Sequence, residues 1–182
     1  MDTASRTNLR TTASRALPLL AAATLLAAAT AAQAQGITAK PLPADTCAGL
    51  AKEASDRTGV PIDTVTGDAG PYMYSNVDGT ACLFSGTATG VSKDLEKLST
   101  IGEGFDGWTR ESAYDADGPG STSVTFHRGD TDWFGLTVSA EPPAGQCDDV
   151  MISECKVPKA EWTWTVSGMA FSLPANSGKP AL

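Results

Sequence analysis

The segment SVTFHRGDTDWFGLTV, residues 123–138, alternates apolar and polar side chains on either side of the turn sequence Arg-Gly-Asp-Thr. Two alternating runs joined by a short turn that contains glycine are typical of an antiparallel β-hairpin. One face of this hairpin is apolar and is predicted to enter the core through Val124, Phe126, Phe134, Leu136 and Val138. The other face carries His127 and Trp133, and we expect it to remain open to water or to a partner.

Further strands are predicted at residues 80–90, 107–114 and 161–171, and in the last of them Trp162 and Trp164 share one face. A first helix is expected to start at a cap on Asp45 or Thr46 and to end at Gly59 and Pro61. Its apolar face is formed by Cys47, Leu50, Ala51, Ala54 and Thr58. A second helix is expected from Ser92 to about Ile101, with an apolar stripe of Val91, Leu95, Leu98, Ile101 and Phe105. These elements predict an α+β fold, in which two helices pack on one face of an antiparallel sheet of four or five strands.

The N-terminus has the pattern of an export signal. Three arginines precede the apolar run ALPLLAAATLLAAATAA, residues 16–32, and Ala32-Gln33-Ala34 fits a cleavage site. A retained membrane anchor is the alternative, but the run is short and alanine-rich for a segment that needs about 20 residues to cross a bilayer. The predicted organisation is therefore a signal peptide at 1–34, an extended arm at 35–44, a single α+β domain at 45–171 and a flexible tail at 172–182. The location is predicted to be periplasmic or extracellular.

The charge balance limits the kinds of partner. The full chain has a net charge of −8, and removal of residues 1–34 takes away three of its 13 basic residues and one of its 21 acidic residues, which leaves −10. Such a surface repels nucleic acid and anionic lipid headgroups. We therefore expect no nucleic-acid partner and no membrane insertion after cleavage, and cationic partners are favoured.

Four cysteines follow the signal, and an even number in an oxidising compartment indicates disulfides. Three pairings are possible. We prefer Cys47–Cys82, which would tie the first helix to a strand, together with Cys147–Cys155 across a polar loop. The acids Asp148, Asp149 and Glu154 in that loop also raise the possibility of a metal, but zinc requires closely clustered thiolates and usually histidine. No metal site and no cofactor are predicted.

Little in the chain indicates catalysis. His127 is the only histidine, so any histidine-based mechanism would depend on it, and no G-x-S-x-G motif accompanies it. Paired carboxylates remain an alternative, with Glu111, Glu161 and Asp106 nearest to tryptophan-containing strands. In DADGPGS, residues 115–121, the closing glutamate of a calcium loop is missing, so a turn is preferred.

The tryptophans and the turn are the stronger candidates for binding. Trp133 is predicted on the face that the core does not need, and exposed aromatic residues are common in binding sites. Arg128 and Asp130 flank the glycine of the turn, although an Arg-Gly-Asp tripeptide is expected by chance in about one such chain in twenty. Trp162 and Trp164 are further candidates, and burial in the core is the preferred interpretation for that pair.

Several short motifs, in this order, give the chain a resemblance to other proteins: a DGTAC strand, a helix, GW, ADGPGS, an R-G turn and C…ISEC before a last strand. This order, over about residues 78–168, resembles exported bacterial α+β proteins without an assigned function. The resemblance implies the same fold and the second disulfide, and it implies no catalytic or binding residue. The function predicted from the sequence is an exported binding or interaction protein of the bacterial envelope or extracellular space. Its partner would be a protein or a small ligand, and the alternatives are a small carboxylate-dependent hydrolase and a structural envelope component.

Overall fold

The computed structural model describes residues 36–70, 73–91 and 100–181. Within them the chain forms one α-helix, α1 (Ala44–Thr58), and a single sheet of eight strands. The strands are β1 (Ile37–Pro41), β2 (Asp63–Asp68), β3 (Val77–Thr89), β4 (Thr109–Arg110), β5 (Ala116–Gly118), β6 (Ser121–Arg128), β7 (Asp132–Glu141) and β8 (Thr163–Ser172). No helix in these ranges combines the length and the apolar character that crossing a bilayer requires.

The strands follow the order β2-β3-β1-β8-β7-β6-β4, and β5 also pairs with β6. The hairpin of β6 and β7 is confirmed, with Phe126 opposite Phe134 and His127 opposite Trp133. β1 lies between β3 and β8 at one end, where it pairs in parallel with β3 and antiparallel with β8. Beyond that end β3 and β8 pair directly, from Cys82↔Ala170 to Thr89↔Thr163.

The predicted fold class is therefore wrong. The sheet is mixed and has eight strands, rather than four or five antiparallel ones, and only one α-helix lies entirely within the described residues. The prediction placed β1 in an extended arm outside the domain and did not include β2 in the sheet. ITAKP is a short segment that ends in proline, and DTVTGD has one large apolar residue and no buried one, so pairing with neighbouring strands decides that both are strands. Most of the predicted second helix falls on residues 92–99, which lie outside the described residues. The predicted strand at 107–114 is reduced to the two residues of β4, and a 3₁₀ turn follows it.

The face of α1 that packs on the sheet is the one predicted. Its buried residues are Cys47, Leu50, Ala51, Ala54 and Thr58. Gly59 ends the helix in the left-handed conformation, and its N–H donates to the Ser55 carbonyl. The predicted caps are wrong, because the helix already begins at Ala44, after Pro43, and the start has no side-chain capping hydrogen bond.

The first core lies between α1 and one face of the sheet. It contains the predicted inward residues of the hairpin together with Trp164 of β8 and Trp162, which directly precedes β8. Its aromatic members are Phe84, Phe105, Phe126, Phe134, Trp162 and Trp164. Phe105 packs edge to face on both Phe126 and Phe134. Burial of apolar surface at roughly 25 cal/mol per Å² makes this layer the main source of stability.

The second face of the sheet is also covered, which corrects the expectation of an open face. A separate core of buried residues lies there, with Tyr74, Trp133, Met169, Phe171 and Leu173 among its members. Tyr74 comes from the loop between β2 and β3, and its ring packs edge to face on Phe171. Its hydroxyl lies 3.1 Å from the hydroxyl of Thr125, which is fully buried. Gly135 makes this packing possible, since a Cβ at that position would lie 2.8 Å from the Tyr74 hydroxyl oxygen.

The buried phenol predicts a loss of stability at high pH. Burial raises the pKa of Tyr74 to about 12, although the hydrogen bond to Thr125 acts in the opposite direction. In the unfolded chain the phenol ionises near pH 10. Between these values the unfolded chain loses the proton before the folded chain does, so the free energy of unfolding should fall by roughly 2 to 3 kcal/mol as the pH rises. Urea unfolding between pH 9 and 12 measures this slope, and Tyr74→Phe should reduce it. An equal slope in the two proteins would contradict the assignment.

Two disulfides join the described residues, Cys47–Cys82 and Cys147–Cys155, in the pairing preferred from the sequence. The first connects α1 to β3, and the second closes the loop between β7 and β8. No free cysteine is present in the described part of the chain.

Candidate binding site at the hairpin turn

A cleft of about 440 Å³ lies between the turn of the β6–β7 hairpin and the C-terminal segment. We call it the hairpin cleft. Its lining residues are His127, Gly129, Asp130, Thr131, Trp133, Ala175, Asn176, Gly178 and Lys179. The turn that was singled out in the sequence therefore forms one wall, and a segment about 45 residues further along the chain forms the other.

The turn is held in shape by local contacts. Gly129 has φ of +61°, a left-handed conformation that glycine adopts without steric cost. The Gly129 carbonyl lies 2.9 Å from Nδ1 of His127. Because a carbonyl can only accept, the His127 ring donates to it through Nδ1–H. An ion pair between Arg128 and Asp132, with an N–O distance of 2.9 Å, joins the two strands next to the turn.

The opposite wall is the segment that was expected to be a flexible tail. The N–H of Leu173 donates to the Thr131 carbonyl, and the Tyr114 hydroxyl donates to the Pro180 carbonyl at 2.6 Å. The N–H of Ala181 donates to the side-chain oxygen of Asn76, also at 2.6 Å. The structure thus anchors this segment to the second face at both of its ends, and the cleft lies beneath the stretch between the anchors.

The charged groups of the cleft are not equivalent. Lys179 forms an ion pair with Glu111. The hydrogen bond to the Glu111 carboxylate is the main cause that raises the pKa of Lys179, and the charge of Asp130 makes a smaller contribution. Asp130 is exposed and has no described cation within 4 Å of its carboxylate. The ammonium is therefore already neutralised by Glu111, whereas Asp130 remains available to an incoming charge.

The three tryptophans proposed for binding are all buried. Trp133 is only 2% exposed, because Tyr114 packs edge to face on its ring and the His127 ring lies 5.5 Å away between centroids. It lines the hairpin cleft but is almost completely enclosed, so the prediction that it is an exposed platform is wrong. Trp162 and Trp164 belong to the first core, as the preferred interpretation of that pair held.

Arg128 and Asp130, the other two predicted residues, are separated. Asp130 lines the hairpin cleft, while the guanidinium of Arg128 lies 4.9 Å from the ring centroid of Trp108. Arg128 lines a different groove, beside α1, which also contains Asp106. The Arg-Gly-Asp sequence therefore does not present its two charges to one common cleft.

The carboxylates considered for hydrolysis are also dispersed. Asp106 lines the groove beside α1, Glu111 is engaged by Lys179, and Glu161 is exposed in a 3₁₀ turn before β8. Neither the hairpin cleft nor the groove beside α1 is lined by more than one of them.

Metal binding has no visible basis in the described ranges, where no group of three or more His, Cys, Asp or Glu side chains is placed to hold an ion. In the DADGPGS segment, Asp115 accepts a hydrogen bond from Arg110 at 2.7 Å, and Asp117 accepts one from the Thr122 hydroxyl at 2.8 Å. Both carboxylates are thus already engaged in hydrogen bonds within the protein.

Sequence reasoning missed the C-terminal half of the cleft. Asn176 and Lys179 lie in ANSGKP, a stretch whose composition indicates a turn-rich tail and nothing more. The one signal that could have pointed to them is Leu173, an apolar residue that directly continues the pattern of β8 and is buried. Comparison of the chain with protein-family models, with curated proteins and with solved structures found no match.

Proposed function

We propose that this protein is an exported binding protein that acts without catalysis, and that the hairpin cleft binds a small ligand carrying an ammonium group. The observation that carries this proposal is the Asp130 carboxylate, which is exposed at a cleft of about 440 Å³ and has no described cation within 4 Å. A cleft of that volume is within the range of small-molecule sites.

The electrostatics of the cleft support a cation over an anion. Glu111 and Asp130 contribute two negative charges against the single positive charge of Lys179, and the nearby Arg128–Asp132 pair is neutral. The full chain carries a net charge of −8, which adds a long-range attraction for cations. The His127 ring and the Thr131 hydroxyl, which also line the cleft, are polar groups that the ligand could contact.

Export is part of the proposal. The N-terminal pattern of arginines, an apolar run and Ala-x-Ala favours it, and the two disulfides are compatible with an oxidising compartment. We infer a periplasmic or extracellular location, where an acidic protein with a preformed cleft would sequester or deliver an amine.

The test is a titration of the purified protein with butylamine, 1-butanol and butyrate, followed by NMR shifts of the backbone amides. We expect saturable shifts at residues 127–131 and 175–179 with the amine only. Asp130→Asn should weaken amine binding by at least about fivefold, because it removes the charge and keeps the shape.

Asp106→Asn is the matched control, since Asp106 is an exposed acid that lies outside the hairpin cleft. It should leave the amine affinity unchanged. Equal binding of butylamine to the unaltered protein and to Asp130→Asn, or equal binding of butyrate and butylamine, would overturn the assignment of an ammonium ligand.

A further inference from the structure

The two edges of the sheet differ in how much backbone they leave available. β2 is the terminal strand on one side, pairs only with β3 among the described strands, and is regular over six residues. None of these residues is buried, and Val65 is 61% exposed. At the other edge, β4 and β5 are two and three residues long and are separated by a 3₁₀ turn. Short, interrupted edge strands protect a sheet from further pairing, and only the β2 edge lacks this protection.

A groove runs beside β2 on the side of α1. The register places Thr64 opposite Phe84 and Thr66 opposite Cys82, so these two side chains lie on the helix side of the sheet. Two depressions, of about 490 and 140 Å³, lie between this strand and the helix region, and Thr64 lines both of them. The wall opposite β2 includes the small side chains Ala48 and Ala51 of α1. We call this strip, from Thr64 and Thr66 to Ala48 and Ala51, the β2 groove.

The groove has a fixed width, because the Cys47–Cys82 disulfide ties α1 to the strand that pairs with β2. Both cysteines line the smaller depression. A strand that paired with the outer edge of β2 would place every second side chain toward α1 and its two alanines. Small and β-branched residues such as threonine and valine fit there, and β-branched residues also favour the extended conformation that pairing requires.

The charges at the edge indicate the kind of strand that fits. The one cation that lines the groove, Lys52 of α1, is paired with Asp56, so the unpaired charges next to β2 are acidic. Asp63 and Asp68 stand at the two ends of β2. In a centred antiparallel pair of two copies, Asp63 of each copy would lie opposite Asp68 of the other, and like charges directly opposite each other destabilise a sheet. A second copy is therefore disfavoured, and a strand with a basic residue at each end is favoured.

We propose that β2 is a docking edge for an extended segment of another protein, a strand of about six residues with small or β-branched residues between two basic ends. The segment binds by adding a strand antiparallel to β2, with alternate side chains in the β2 groove. This surface lies apart from the hairpin cleft, shares no lining residue with it, and does not depend on the proposed amine ligand.

The probe is the blocked hexapeptide KTVTVK, with ETVTVE as its charge-reversed counterpart. We expect the lysine peptide to shift the amide resonances of residues 63–68 in NMR spectra, and to bind at least about fivefold more tightly than the glutamate peptide at low salt. Two N-methylated forms of KTVTVK test the backbone pairing. One is methylated at the odd-numbered backbone amides and the other at the even-numbered ones. Only one of the two sets of amides can face β2, so one form should lose binding and the other should keep it.

Charge reversal on the protein completes the test. Asp63→Lys combined with Asp68→Lys should reverse the preference toward ETVTVE, while Glu103→Lys with Asp106→Lys, two exposed acids away from β2, should leave it unchanged. Asp130→Asn should not alter peptide binding, which separates this surface from the hairpin cleft. The proposal is overturned if the shifts lie outside β2 and its groove, if both N-methylated forms bind equally, or if the reversed variant still prefers KTVTVK.

Discussion

Removal of the Cys47–Cys82 disulfide, by Cys47→Ala with Cys82→Ala, is expected to lower the free energy of unfolding by about 4 kcal/mol. The bond closes a loop with a sequence separation of 35, so its loss restores much conformational freedom to the unfolded chain. Both sulfur-bearing residues also lie in the first core, next to α1. Urea unfolding of the unaltered and the double-alanine protein, each fitted with its own slope, measures the difference.

The second disulfide supplies the comparison. Cys147 and Cys155 are only eight residues apart, so Cys147→Ala with Cys155→Ala is expected to cost about 2.5 kcal/mol on the same loop-closure argument. If the short loop proved as costly as the long one, constraint of the unfolded chain could not be the main effect. The stability lost in both variants would then have to come from packing around the cysteines in the folded protein.

The variant Trp133→Ala is expected to destabilise the fold by about 3 to 5 kcal/mol. The side chain is almost fully buried in the second core, with Tyr114 and His127 against its ring, so truncation leaves a cavity that rigid strands cannot fill. If Trp133 were a surface residue used only for binding, the substitution would leave the free energy of unfolding almost unchanged. Thermal and urea unfolding of the variant therefore separate a structural role from a binding role.

The conservative variant Trp133→Phe tests the same site with little cavity. The indole N–H is buried without an acceptor among the described residues, so phenylalanine keeps the aromatic packing and removes an unsatisfied donor. We expect a cost below about 1.5 kcal/mol. A cost as large as that of Trp133→Ala would contradict the cavity explanation.

The elements that were correctly predicted from the sequence share one property: the apolar periodicity that identifies each of them lies within its own residues. The hairpin alternates on both of its strands, and α1 repeats its apolar residues every three or four positions. The turn residue Asp130 was found for the same reason, since glycine and aspartate marked the turn locally. Such signals are read within a window of a few residues, and tertiary contacts are not needed to interpret them.

The elements that were missed depend on residues distant in the chain. β1 becomes a strand because β3 and β8 separate at one end and leave backbone groups that ITAKP can pair with. The burial of Trp133 depends on the loop at Tyr74 and on Tyr114, which cover the second face. Lys179 reaches the hairpin cleft because the C-terminal segment is anchored at Leu173 and Ala181, far from the turn in sequence.

The sequence alone therefore determined the central hairpin, the buried face of α1, the preferred cysteine pairing and the net charge of −8. Only the tertiary structure decided that both faces of the sheet are covered, that β2 is an unprotected edge and that Asp130 lines a cleft. The physical reason is that alternation shows which side chains of a strand point together, whereas the covering of a face is decided by segments that fold back from elsewhere. For the second face, those segments are the loop before β3 and the last residues of the chain.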